Sequence, residues 1–150
     1  MLSSLDQRIR LELAAELLLR GERISLRVQG ASMLPSLFPG DVLTIRRCDP
    51  REIVAGDIVI FRREGLCIAH RVSERMTGST ACRLRTRGDA LRNCDPPVSE
   101  SEVLGRVTHV ERNGRRRPPP RLGPVRTLVA GLVQRSHWAA RALVAAHSRF

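Results

Sequence analysis

The sequence predicts a mainly β domain flanked by a helix at each end. Two observations carry this. Six short apolar runs, Arg23–Val28, Val42–Arg46, Asp57–Arg62, Leu66–Val72, Ala81–Arg87 and Val103–Glu111, have strand length and are separated by turn residues such as Asp49-Pro50, Ala55-Gly56-Asp57, Glu64-Gly65 and Thr77-Gly78-Ser79. No helical pattern interrupts them, so a closed or sandwiched sheet is expected rather than alternating βαβ units. At 150 residues, with 42% hydrophobic and 27% charged residues, the chain suits one compact domain with short appendages and is not broadly disordered.

Ser4–Arg20 reads as a helix. Ser4 and Gln7 have capping-box spacing, Leu5, Ile9, Leu13 and Leu17 recur at helical intervals, and Gly21 stops the pattern. Ile24, Leu26 and Val28 then alternate with polar neighbours, the mark of a half-buried strand, before a Gly-, Ser- and Pro-rich loop from Gln29 to Asp41. The segment from Arg112 to Pro124, RNGRRRPPPRLGP, clusters charge with proline and is expected to be a stiff linker outside the sheet. Beyond it, Val125, Leu128, Val129, Leu132, Val133, Ala140, Leu143 and Val144 recur at helical spacing, with Arg126, Arg135 and Arg141 on a basic face. The predicted organisation is therefore an N-terminal helix over 1–22, a β domain over 23–111, a linker over 112–124 and a basic amphipathic helix over 125–150. That last helix suits an anionic membrane surface and packing on the protein's own core equally well.

The formal net charge is +11, and all 26 basic residues are arginine because the sequence has no lysine. Such a charge can draw a protein to nucleic acid or anionic lipid, but a coding bias that loads a solvated surface with arginine explains it more simply, so no specific nucleic-acid partner is expected. Cys48, Cys67, Cys82 and Cys94 form no C-x-x-C pair, which speaks against a zinc site, and no metal or other cofactor is expected. A Cys67–Cys82 bridge across neighbouring strands is permitted in an oxidising compartment, though four buried free thiols are the expectation. No run reaches the roughly 18–20 apolar residues that cross a bilayer, and the start lacks a secretion-signal pattern. A cytoplasmic protein, peripheral on the inner membrane face where the C-terminal helix touches lipid, is expected.

A nucleophilic serine needs a proton acceptor, an oxyanion-binding donor array and a backbone that exposes its hydroxyl. Ser32 lies in Gly30-Ala31-Ser32-Met33-Leu34-Pro35, where small residues leave room for a substrate and Pro35 constrains the loop. Alone this is an ordinary loop serine. The longer string GASMLPSLFPGDVLTIRR, however, resembles the serine box of type I signal peptidases and of the self-cleaving SOS-repressor peptidases. Gly56-Asp57-Ile58-Val59-Ile60-Phe61 resembles the next strand motif of that superfamily, with Asp57 as a turn former, and Val103-Leu104-Gly105-Arg106-Val107 resembles its closing strand.

The proton acceptor separates the branches. Most bacterial members and the SOS-type enzymes use a buried lysine, and arginine cannot replace it because its guanidinium stays protonated. A Ser-Lys dyad is thus excluded by composition. Endoplasmic-reticulum, archaeal and sporulation-type signal peptidases place a histidine there, within a strand that here reads Ala69-His70-Arg71-Val72. A histidine, with an ordinary pKa near ~6.5, can accept a proton near neutrality. The same branch carries an aspartate soon after a basic-Gly-Asp turn, matched by Arg87-Gly88-Asp89 and then Asp95. The resemblance therefore implies Ser32 as nucleophile, His70 as base and Asp95 as its orienting carboxylate. Asp89 stands as a nearby support and as the other candidate for contact with His70. Gly30, Ser32 and Met33 would supply the oxyanion and substrate-binding backbone.

The resemblance covers about Val28 to Val110 and implies a serine endopeptidase that removes a leader or signal segment from a precursor through an acyl-enzyme. The absence of an N-terminal membrane anchor departs from true signal peptidases. Two rival readings stand beside it: an inactive β domain that binds peptides, and a DNA-associated regulator of the SOS-repressor kind. The lack of lysine and of room for a helix-turn-helix before residue 29 weighs against the second.

Overall fold

The computed structural model describes residues 4–78, 81–135, 141 and 144. Helix α1 (Ser4–Leu19) leads into β1 (Arg23–Arg27), β2 (Val42–Arg46), β3 (Ile58–Arg63), β4 (Leu66–Thr77), β5 (Cys82–Arg87), β6 (Val98–Ser99), β7 (Val103–Arg112), β8 (Arg115–Arg117) and α2 (Pro124–Arg135). All eight strands join one antiparallel sheet in the order β1-β2-β7-β3-β4-β5-β6, with β8 alongside β7. The mainly β expectation holds.

Strand β3 is buried on both faces, which explains its unbroken apolar run IVIF. Ile58 and Ile60 join Leu43, Ile45, Leu104, Val107 and α1 in one core. Val59 and Phe61 point the other way, into a second core with Ile53, Val72, Leu84 and Val98. This alternation is the period-two geometry of a strand.

Helix α1 forms where the apolar spacing predicts a helix, and it docks through a second apolar stripe. Leu5, Ile9, Leu13 and Leu17 are exposed, whereas Leu11 and Leu18, with Ala14 and Ala15, meet the sheet. The helix carries two apolar stripes, and the one spaced i, i+3, i+4, i+7 drifts less around the axis than one spaced strictly by four, so it makes the flatter docking surface. The side chains of Ser4 and Gln7, the expected capping box, lie outside the described residues.

The chain does not leave the sheet at Glu111. Strand β7 continues to Arg112, turns at Asn113 and Gly114, both at positive φ, and pairs with β8 through Glu111↔Arg116 and Arg112↔Arg115. Asn-Gly is the strongest two-residue hairpin signal, and it overrides the charge-and-proline composition that suggested a linker. The α2 helix packs against the domain: Ala130 is buried and Val129 packs on the Leu34 and Phe38 cluster, as does Val144 beyond the helix, while Leu128 and Leu132 face outward. The expected apolar positions Ala140 and Leu143 lie outside the described residues.

The cysteines are free, but Cys67 and Cys94 are exposed and Cys48 and Cys82 only half-buried. A Cys67–Cys82 bridge is impossible in this register. Cys82 lies opposite Thr77, ten residues along β4 from Cys67, or about 33 Å at strand rise.

Candidate active site

The loop joining β1 to β2 carries Ser32, and both its ends are tied down. At its base the ladder continues through Val28 N–H to Asp41 C=O and Gly40 N–H to Val28 C=O, each 2.8 Å, with Gly40 at φ 96°. The buried Asp41 carboxylate accepts from Phe38 N–H and from two nitrogens of Arg112, at 2.8 and 2.6 Å, and the guanidinium lies over the Phe38 ring. Met33, Leu34 and Leu37 point inward and are buried, so the tip is anchored directly after Ser32. The Leu34–Pro35 peptide is cis.

His70 comes from β4, opposite Val59 of β3, and its ring lies edge-on to Phe61. Its Nε2 is 3.1 Å from Ser32 Oγ, and its Nδ1 is 2.7 Å from Asp95 Oδ2. Residues 38 and 25 positions from His70 are thus brought into one hydrogen-bonded chain. His70 is 5% exposed, which limits bulk water at the imidazole, and Ser32 is half-buried.

Asp95 is held in turn by β5. Its Oδ2 accepts from the Thr86 hydroxyl at 2.6 Å, and its N–H donates to Thr86 C=O at 2.8 Å. Thr86 is fully buried, so this is a hydrogen bond from a desolvated hydroxyl to a carboxylate, among the stronger kinds. Sequence reasoning missed Thr86. The available signal was a hydroxyl on the strand running into Arg87-Gly88-Asp89.

The choice between Asp95 and Asp89 as the partner of His70 is resolved by their contacts. Asp89 is bound by Arg71 instead, Nε to Oδ1 at 2.9 Å and Nη2 to Oδ2 at 2.8 Å. Arg71 also donates to Ser36 Oγ in the serine loop and to Gly56 C=O. Both charges are buried, which is tolerable because the fork pairs them and two further donors reach Ser36 and Gly56. The supporting role expected for Asp89 takes this form. Arg71 itself was missed, although an arginine beside a strand histidine calls for a carboxylate.

The turn carrying Asp89 also touches the nucleophile's backbone. Ala90 N–H donates to Ser32 C=O at 2.8 Å. Gly88 lies so close that a Cβ there would stand 2.6 Å from Ser32 O and 3.0 Å from His70 Nε2. Gly30, by contrast, faces open space, and a methyl group on its Cα would meet nothing within 4 Å. Met33 contributes its side chain to the core, 2% exposed, so only its main chain is left to meet a substrate. Asp57 forms its expected turn, accepting from Val54 N–H and facing Arg106.

A serine, a histidine and an aspartate in this order of contacts constitute a proton relay able to raise the nucleophilicity of an alcohol. The Peptidase S24-like family profile matches residues 3–108. The chain belongs to that family. The match extends over α1 and the strands as far as the middle of β7, and places the protein in the serine-peptidase superfamily that the motif strings resemble. No curated protein is significantly similar to the chain. Among the described residues no helix is long and apolar enough to cross a membrane, and no three His, Cys, Asp or Glu side chains converge as a metal site would need.

Proposed function

We propose that this Peptidase S24-like protein is a serine endopeptidase with Ser32 as nucleophile, His70 as general base and acid, and Asp95 as the carboxylate that orients His70. The observation that carries the reading is the pair of contacts on one imidazole, Nε2 to Ser32 at 3.1 Å and Nδ1 to Asp95 at 2.7 Å, in a chain with no lysine. Asp95 bonded to Nδ1–H leaves Nε2 as the acceptor facing Ser32.

In the first half-reaction the Ser32 hydroxyl proton passes to Nε2 as Oγ bonds to a peptide carbonyl carbon. The Ser32 backbone N–H takes part in stabilising the resulting oxyanion. The imidazolium then returns its proton to the leaving amine as the C–N bond breaks, giving an acyl-enzyme. Water, deprotonated by the same Nε2, releases the acid and restores Ser32. The substrate class is a precursor whose leader or signal segment presents an extended chain with small residues before the cut, as in the histidine-using signal peptidases the motifs resemble.

The test is covalent labelling with a serine-reactive acylating probe. Wild type should be labelled, and Ser32→Ala and His70→Ala should not, with mass spectrometry placing the adduct on Ser32. Folded wild type that resists labelling would favour a peptide-binding domain without catalysis.

A further inference from the structure

The outward face of the β1–β2–β7–β8 half of the sheet is a row of arginines with little to neutralise it. The register places Arg23 opposite Arg46 and Arg46 opposite Arg106. One row further along, Arg27 pairs with Val42, Val42 with Glu111 and Glu111 with Arg116. Directly opposed residues share a face, and alternate positions of β1 and β2 put Ile24, Leu26, Leu43 and Ile45 into the core on the other side. The arginine face thus holds Arg23, Arg27, Arg46, Arg106 and Arg116, against Glu111 and the Asp57 that pairs with Arg106.

Like charges directly opposite on neighbouring strands are destabilising, since their Cβ atoms stand about 5 Å apart. Among the described residues Arg23 and Arg46 have no carboxylate partner to offset this. Protection of an exposed edge would account for arginines on β1, the end strand. It does not account for Arg46, which sits on an interior strand, whereas Arg106 has Asp57 as its partner.

We infer that this face docks on an anionic lipid bilayer, with phosphate headgroups supplying the charge that the sheet lacks. The shape favours a bilayer over nucleic acid. Four neighbouring strands span about 14 Å between the outer axes, too broad for a major groove about 12 Å wide, which admits a two-stranded ribbon. Between the arginines the face presents Ser25, Thr44 and the single ring of His109, which Arg116 engages, so it offers no succession of rings on which bases could stack. The serine loop emerges from the β1–β2 end of this same surface, so docking would hold the site near the membrane without any spanning helix. None of these arginines belongs to 125–150, the segment whose sequence pattern suggested lipid contact.

The experiment is co-sedimentation of the full chain with phosphatidylcholine vesicles, with and without phosphatidylglycerol, and it does not depend on peptidase activity. Binding should require phosphatidylglycerol and weaken with added salt. The variant R23Q/R46Q/R116Q should partition about a hundredfold less, near fivefold per arginine. Each single replacement should show its fivefold share, and thermal unfolding of R46Q should be no lower than wild type because its repulsion with Arg23 and Arg106 is relieved. A control removing the same charge elsewhere, R10Q/R62Q/R83Q, should bind nearly as wild type. Equal loss in the control, no binding to anionic vesicles, or tighter binding of duplex DNA or single-stranded RNA than of vesicles at the same salt would each overturn the proposal.

Discussion

Arg71 grips Asp89 through two parallel hydrogen bonds, at 2.9 and 2.8 Å, with both side chains almost sealed from water. The pair joins β4 to the turn that follows β5, and a further Arg71 contact reaches Ser36 in the nucleophile loop. Removing one partner strands the other charge in the interior. Arg71→Ala should therefore destabilise the fold by about 3–5 kcal/mol, read as a lowered midpoint in chemical denaturation. A loss under about 1 kcal/mol would mean that water reaches Asp89 and the tie is weak.

Gly88 is required for space rather than for backbone freedom. A methyl group there would collide with Ser32 C=O at 2.6 Å, a main-chain atom that no rotamer change can move, and crowd His70 Nε2 at 3.0 Å. Gly88→Ala should push Ser32 and the imidazole apart and slow acylation of Ser32 at least tenfold. The variant should still fold, since the clash is local, and labelling kinetics beside a melting curve will separate the two effects. Unchanged labelling would show that the turn can retreat from the nucleophile.

Thr86 should act on the chemistry only through Asp95. Thr86→Val keeps the shape but removes the donor to Asp95 Oδ2, a hydrogen bond to a charged acceptor that contributes about 1.5–3 kcal/mol. Acylation should slow because Asp95 loses one of the two contacts that aim it at His70, and Thr86→Ser, which retains the hydroxyl, should restore most of the rate. Equal behaviour of the two variants would reduce Thr86 to a packing residue.

The parts of the site readable from sequence were those with both a chemical type and a sequence frame. Ser32 stood in a Gly- and Pro-bounded loop, His70 in an apolar strand, and the missing lysine left histidine as the base. The supports were harder to read because their partners lie far along the chain: Arg71 meets Asp89 at a separation of 18 and Ser36 at 35. Nothing local specifies such pairs. Sheet order was similarly hidden, since β7 inserts between β2 and β3. The packing face of α1 was not legible because its apolar residues form two stripes, and only the sheet beneath decides which is covered. The β7–β8 hairpin was legible in Asn113-Gly114, but the prolines that follow pointed towards a linker.

Glu102 provides the pH-dependent brace behind Asp95. Its carboxylate accepts from Ser99 N–H at 2.8 Å, from Ser99 Oγ and from Arg63, and Arg63 also donates to the carbonyls of Pro96 and Pro97. The Ser99 N–H first, and then the side-chain donors, hold the Glu102 pKa below its ordinary value of 4.5 against the opposing effect of burial. A carboxylate with a depressed pKa in the folded state contributes stability that is fully present above the unfolded-state value. That contribution is lost as pH falls from about 4.5 through the lower, folded-state value. Glu102→Gln should be less stable than wild type at neutral pH, by about 1 kcal/mol, and the gap should narrow as acid protonates Glu102 in the wild type. Denaturation midpoints of the two proteins across the acid range measure this directly. A gap that stays constant down to the lowest pH at which both remain folded would mean that the charge of Glu102 contributes nothing and that only its shape holds the segment following Asp95.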